Sequence, residues 1–153
     1  MVDTLTAMAK PFFRAGVVAV VRRSNGDVMA FERSDVTGEW QLPQGGLDDG
    51  ETTLEAVWRE LAEETGLTAA DVRLVEEYPE WTIYAWPDGV ASGRRGGRLG
   101  QAHRWFFFEP LSDDVQPTPD GIEFRAWKWI DPASLIAGVV SFRRQPYQQV
   151  LGG

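Results

Sequence analysis

Glu60, Glu63 and Glu64 are the residues best placed to do chemistry, with the second and third following the first by three and four positions. On a helix those spacings bring side chains to one face, a turn apart. Carboxylates crowded in this way repel one another, and a positive charge among them removes that cost. The chain has no cysteine and a single histidine. Hard oxygen ligands alone suit Mg²⁺ or Mn²⁺, and Mg²⁺ commonly bridges carboxylates to substrate phosphates. A carboxylate-held divalent ion, with a further carboxylate near an attacking water, is what phosphoanhydride hydrolysis requires. The competing reading of a lone glutamate pair is a solvated acidic helix face.

The local elements support the chemical reading. Thr52 with Glu55 three residues later has the form of a capping box, and Gly66 stands where a helix stop belongs. The segment from Gly45 to Leu67 therefore reads as a loop, a helix of about three turns and a tight exit. Leu54, Val57, Trp58 and Leu61 make the apolar face beside the glutamates.

Around this helix the chain reads as strands. Ala15 to Val21 is a continuous apolar run, and Asn25-Gly26 signals a hairpin returning as Val28 to Arg33. Val72 to Tyr78, Trp81 to Trp86 and Gln101 to Glu109 follow, rich in β-branched and aromatic residues. Gly121 to Ile130 alternates Ile122, Phe124 and Ala126 against Glu123, Arg125 and Trp127, as a strand does. Asp131-Pro132 opens a short helix, and Pro146 either delays or kinks a terminal one. The glycine-rich stretch from Pro87 to Gly100 carries Arg94, Arg95 and Arg98, as a plain surface turn or as a basic lid over substrate. Strands on both sides of a central helix, with more helix at the end, predict an α/β sandwich around a mixed sheet.

Composition narrows the class. With 153 residues, 43% hydrophobic and 12% aromatic, one domain is expected over residues 11–153, after a flexible tail at 1–10. The lack of cysteine excludes disulfides, zinc thiolates and a thiol nucleophile. No apolar run reaches membrane-spanning length and the first eleven residues lack a signal-peptide core, so a soluble cytoplasmic protein without a membrane partner is expected. A net charge of −8 opposes broad nucleic-acid binding, DNA included, but leaves room for a local basic pocket. Monomer and homodimer stay open.

Gly45, Glu51, Arg59-Glu60-Leu61, Glu63-Glu64 and Gly66-Leu67 form one spaced pattern, which chance would give in roughly one chain in ten million. It resembles the box of the Nudix hydrolases at every position. Further stretches occur in the order of one branch of that family: Trp40 to Gly46, Gly100-Gln101 before Trp105-Phe106, Glu123-Phe124 before Trp127-Lys128-Trp129, and Val140 to Arg144 before Tyr147. From about Gly16 onward the chain looks like the bacterial RNA pyrophosphohydrolases and the similar dinucleoside polyphosphate hydrolases.

The resemblance implies a Nudix-type α/β/α sandwich around a mixed β-sheet. It also implies hydrolysis of RNA 5′-triphosphate ends or dinucleoside polyphosphates, with Mg²⁺ or Mn²⁺ as cofactor. The Gly45 carbonyl would join Glu60, Glu63 and Glu64 as a metal ligand, and Glu123 would serve as a further ligand or base. Glu51 and Arg59 would form an ion pair that fixes the loop on the helix. Arg33, Gln44, Phe142 and Arg143 would meet the substrate, although Phe142 reads equally as a core residue. The same site could instead take ADP-ribose, a nucleotide sugar or a nucleoside triphosphate. A non-catalytic nucleotide-sensing or RNA-binding module would have lost box carboxylates, and none is lost here. Three departures bear on the substrate. Ala102-His103-Arg104 replaces a usual basic-Gln-basic run, Phe12 stands where RNA-directed members often have Arg, and Pro146 interrupts the last segment. His103 itself reads as a strand-surface or core residue.

Overall fold

The computed structural model describes residues 12–86 and 98–152; the expected N-terminal tail, and Arg94 and Arg95 of the expected basic loop, lie outside them. Among the described residues, eight strands form two sheets. The first holds β1 (Phe12–Val21), β4 (Gln44–Gly46), β5 (Val72–Glu77), β6 (Thr82–Ala85) and β7 (Arg98–Pro110). Its order is β4-β1-β7-β5, and β6 pairs with β7 beyond the stretch that β5 covers. β1 runs parallel to β7 and antiparallel to β4, so the sheet is mixed as expected. The second sheet is antiparallel, ordered β3-β2-β8 from β3 (Trp40–Gln41), β2 (Val28–Arg33) and β8 (Phe124–Ile130).

The apolar run of β1 is buried on both sides because it separates two cores. Val17, Ala19 and Val21 face one, with Phe106 and Phe108 of β7 and with Val57 and Leu61 of helix α1 (Thr53–Thr65). Val18 and Val20 face the other, with Trp105, Phe107 and the C-terminal helices α2 (Pro132–Gly138) and α3 (Arg144–Leu151). Burying one such valine or leucine is worth about 2 kcal/mol, so the two faces together tie helices to both sides of the sheet. This is the expected α/β/α arrangement.

Three expectations are corrected. The turn at Asn25-Gly26 exists, with Gly26 at φ 94°, but it does not close a hairpin within one sheet. β1 already has β4 and β7 on its two edges, so β2 crosses to the second sheet and only Arg22 bridges to Val28. β8 begins at Phe124 rather than Gly121: the Asp120 carboxylate accepts the backbone N–H groups of Ile122, Glu123 and Phe124 and holds them in a loop. Ile122 is consequently exposed instead of sharing a face with Phe124. On α1, Leu54 lies exposed near the start, while Ala56 joins Val57 and Leu61 in the core.

The terminal segment starts late. A 3-10 turn, Ser141–Arg143, precedes α3, and Pro146 falls within the first turn of that helix, where N–H groups have no intrahelical partner to lose. Tyr147 one residue on is buried, and its phenol oxygen accepts the Leu42 N–H at 2.9 Å. With the Ala19 N–H donated to the Pro43 carbonyl at 3.0 Å, this fixes the approach to β4.

Candidate active site

Helix α1 is built as its sequence predicts. The Thr52 hydroxyl accepts the Glu55 N–H at 3.1 Å while the Glu55 carboxylate accepts the Thr52 N–H at 2.9 Å. Gly66 ends the helix with φ 73°, a left-handed conformation that side chains disfavour, and its N–H reaches the Ala62 carbonyl.

β4 lies beside β1 with Gly45 opposite Val17 and Gly46 opposite Gly16. The backbone there packs too tightly for side chains. A Cβ on Gly45 would fall on the Glu60 carboxylate, and one on Gly16 would press on the Gly45 carbonyl and the His103 ring. Bare backbone therefore sits directly against the glutamates.

Arg59 organises the acidic side. Its Nε and Nη2 donate to the two oxygens of Glu51 at 2.7 and 2.8 Å, and Nη2 also reaches the Gly46 carbonyl at 2.9 Å. Nη1 donates to Glu60 at 2.8 Å and, more weakly, to Glu63 at 3.4 Å. The expected Glu51–Arg59 pair is thus present and ties loop, strand and helix together. The guanidinium holds the Glu51 carboxyl down at about 2.

A cavity of about 270 Å³ opens where these elements meet. On its acidic side are Glu60, Glu64 and Glu123 with the Gly45 backbone; Arg14, Arg33 and Arg143 line it as well. Glu64 is 7% exposed and its Oε1 has no hydrogen-bond partner. Burial, then the charges of Glu60, Glu123 and Asp120, push its carboxyl up to about 9, partly offset by the Gln44 N–H. Glu60 is also raised, first by burial, with Arg59 pulling the other way. Two carboxyls that resist ionisation beside one another suit a cation, which would offset the cost of charging both.

Among the described residues, no three acidic or histidine side chains converge into a closed metal cage. The donors nonetheless suit a hard divalent cation: carboxylates of Glu60, Glu64 and Glu123, a backbone carbonyl at Gly45, and an unpartnered buried oxygen on Glu64. Glu63 differs from its two neighbours. Its side chain is 58% exposed, turned toward Arg59, and it does not line the cavity.

Of the expected substrate contacts, Arg33, Gln44 and Arg143 line the cavity. Arg33 is engaged by Asp35 through two hydrogen bonds, at 2.9 and 2.7 Å, and faces Glu39 at 3.5 Å. Arg143 is buried, with Nη1 donating to Gln41 Oε1 at 2.5 Å. Phe142 does not line the cavity. It is half-buried in an aromatic group with Tyr84 and Trp86, at ring separations of 5.4 and 6.2 Å. His103 is a core residue: burial first, then Arg143 and Arg14, lowers it to about 3, so the ring is neutral.

Arg14, Gln41 and Gln101 line the cavity without having been assigned from sequence. Gln41 and Gln101 lay inside motifs already noted, and that placement was the available signal. Arg14 gave none; its place follows from pairing, which sets it opposite Gln101 on β7.

Comparison with known proteins bears on the fold described above. The family profile described as NUDIX domain matches residues 12–150. An RNA pyrophosphohydrolase of Cereibacter sphaeroides is 37% identical over 154 residues, covering 98% of this chain and 93% of that one. Among solved structures, the E. coli dihydroneopterin triphosphate pyrophosphohydrolase superposes with a TM-score of 0.71 at 23% identity, over 93% of this chain and 98% of its own. A C. elegans Ap4A hydrolase binary complex does so with 0.67 at 18% identity, over 89% and 93%.

Proposed function

The chain belongs to the Nudix hydrolase family, and on that premise we propose that it hydrolyses a phosphoanhydride at the 5′-triphosphate end of RNA or in a dinucleoside polyphosphate, using Mg²⁺. The observation that carries the reading is the two-signed cavity, with Glu60, Glu64 and Glu123 sharing one space with Arg14, Arg33 and Arg143. A phosphate chain needs both: hard-oxygen sites for the cation that accompanies it, and guanidinium groups for its remaining oxygens. The 37% identity to an RNA pyrophosphohydrolase across 98% of the chain favours the RNA end.

Glu60 and Glu64, with the Gly45 carbonyl, would hold the ion, and Glu63 would turn inward from its weak contact with Arg59 to join them. When bound, the cation neutralises phosphoryl charge and acidifies water. Glu123, on the loop that Asp120 fixes, is a carboxylate without a hydrogen-bond partner among the described residues, and is suited to accept a proton from the attacking water. Arg59 keeps Glu60 and Glu51 aligned. Arg33 and Gln44 meet the nucleotide, Arg143 holds phosphate, and Phe142 stacks a base after a small shift from Tyr84. Residues 11–153 act as one catalytic domain in the cytoplasm.

The test is a Mg²⁺-dependent assay of triphosphorylated RNA beside diadenosine polyphosphates, ADP-ribose and nucleoside triphosphates at matched concentration. Preference for the RNA end supports the reading. Preference for ADP-ribose or a nucleotide sugar moves the chain to another substrate class, and no turnover with any divalent metal overturns catalysis.

A further inference from the structure

Among the described residues, three arginines line the cavity, and their commitments differ. Arg33 is already spanned by the Asp35 carboxylate and flanked by Glu39. Arg143 is buried and donates to Gln41. Arg14, among the described residues, makes no hydrogen bond and no ion pair, although it is exposed to solvent at the cavity. Its guanidinium lies over Gly46, on the ground that a side chain at that position would take. An arginine spread across bare backbone beside a cluster of carboxylates, yet bonded to none of them, is placed for a ligand rather than for the fold.

We propose that Arg14 is the dedicated polyphosphate ligand of this cavity, and that it distinguishes chains of two or three phosphates from the monophosphate product. This rests on the reading of the site as a polyphosphate hydrolase. A cation held by Glu60 and Glu64 would neutralise the phosphate nearest the carboxylates. The phosphates farther along the chain need cations of their own, and Arg14 can serve one without first breaking an existing contact. Its planar fork matches two phosphate oxygens at once, which a lysine ammonium cannot do. A monophosphate fills the acidic end only and leaves Arg14 unused, so the monophosphate product is held less tightly than the substrate. The pairing of Arg14 with Gln101 adds a neutral donor beside it on β7.

The test separates binding from turnover. Affinity of an α,β-methylene nucleoside triphosphate, which resists hydrolysis at that bridge, and of the matching nucleoside monophosphate is measured by calorimetry with Mg²⁺ for wild type, Arg14→Ala and Arg14→Lys. Loss of a charge-assisted contact predicts analogue binding weakened about ten- to hundredfold in Arg14→Ala, with monophosphate binding changed less than about threefold. Arg14→Lys should fall between, and added methylguanidinium should restore part of the loss in Arg14→Ala. Equal affinity of wild type and Arg14→Ala for the analogue overturns the proposal, as does equal weakening for both ligands. If wild type binds the analogue in an Arg14-dependent way but turns over no substrate, the catalytic reading fails and this one stands.

Discussion

Replacing Glu64 by glutamine should stabilise the metal-free protein while abolishing its activity. Glu64 is 7% exposed and its carboxyl is pushed up to about 9 from an ordinary 4.5. In the folded protein it therefore keeps its proton up to about pH 9, whereas in the unfolded chain it ionises above about 4.5. A folded state that binds the extra proton loses stability as pH rises, at about 1.36 kcal/mol per pH unit across that interval. Between pH 4.5 and 7 the loss amounts to about 3 kcal/mol. Glutamine escapes it but brings an amide that must find a partner beside an already unpartnered site, at about 1 kcal/mol. The net gain of about 2 kcal/mol corresponds to a rise in Tm of about 4–8 °C for a chain of this size. Thermal unfolding in EDTA at pH 5, 7 and 8.5 reads it out: the advantage of Glu64→Gln should be small at pH 5, grow through neutrality and level off above about pH 9. Mg²⁺ should then raise the Tm of wild type and much less that of the variant, while kcat falls at least about a hundredfold in the variant. A Tm equal to or below wild type at pH 7 to 8.5 in EDTA, or a difference that ignores pH, would refute the reasoning.

Three further outcomes test the neighbouring parts. Gly45→Ala drives a methyl into the Glu60 carboxylate, so kcat/KM should fall about a hundredfold, with about 1–3 kcal/mol lost in stability; near-normal turnover would mean that this contact is irrelevant to catalysis. Arg59→Lys cannot keep two bonds to Glu51 while also reaching Glu60 and the Gly46 carbonyl, and should raise the Mg²⁺ requirement or lower kcat by about ten- to hundredfold, read from Mg²⁺ titrations of the rate. Because the Glu60 and Glu64 carboxyls are both raised and must lose protons to hold a cation, the rate at limiting Mg²⁺ should climb from pH 6 to 9, and saturating Mg²⁺ should move that climb to lower pH. A rate flat in both variables would contradict the metal assignment.

What could be read from the sequence was whatever depends on near neighbours. The Thr52–Glu55 box, the Gly66 stop and the Asp131-Pro132 start of α2 are bonds between residues three or four apart, and each forms as expected. The Arg59–Glu51 contact spans eight residues and came from family likeness instead. Where competition among distant segments decides, local signals failed. Asn25-Gly26 has every mark of a hairpin turn, yet β4 and β7 occupy both edges of β1 and force β2 into another sheet. One local bond was missed as well: Ile122 alternates correctly with Phe124, but the Asp120 carboxylate, two to four residues away, binds three successive N–H groups and outweighs the alternation.

The same division explains which site residues were legible. Glu60, Glu63 and Glu64 share a helix face in any projection, but the projection cannot say that Arg59 draws Glu63 outward while Glu64 sinks to 7% exposure. That split matters, because a carboxyl near pH 9 and an exposed one on the same helix answer differently to a cation: the first gives up a bound proton, the second gives up an arginine. Metal binding is then coupled to two separate equilibria rather than to one cluster. A Glu63→Gln variant should consequently shift the Mg²⁺ dependence of the rate, whereas Glu64→Gln alters that dependence and the pH dependence of stability in EDTA as well. If Glu63→Gln leaves the Mg²⁺ dependence of the rate as it is in wild type, the asymmetry seen around Arg59 has no functional weight.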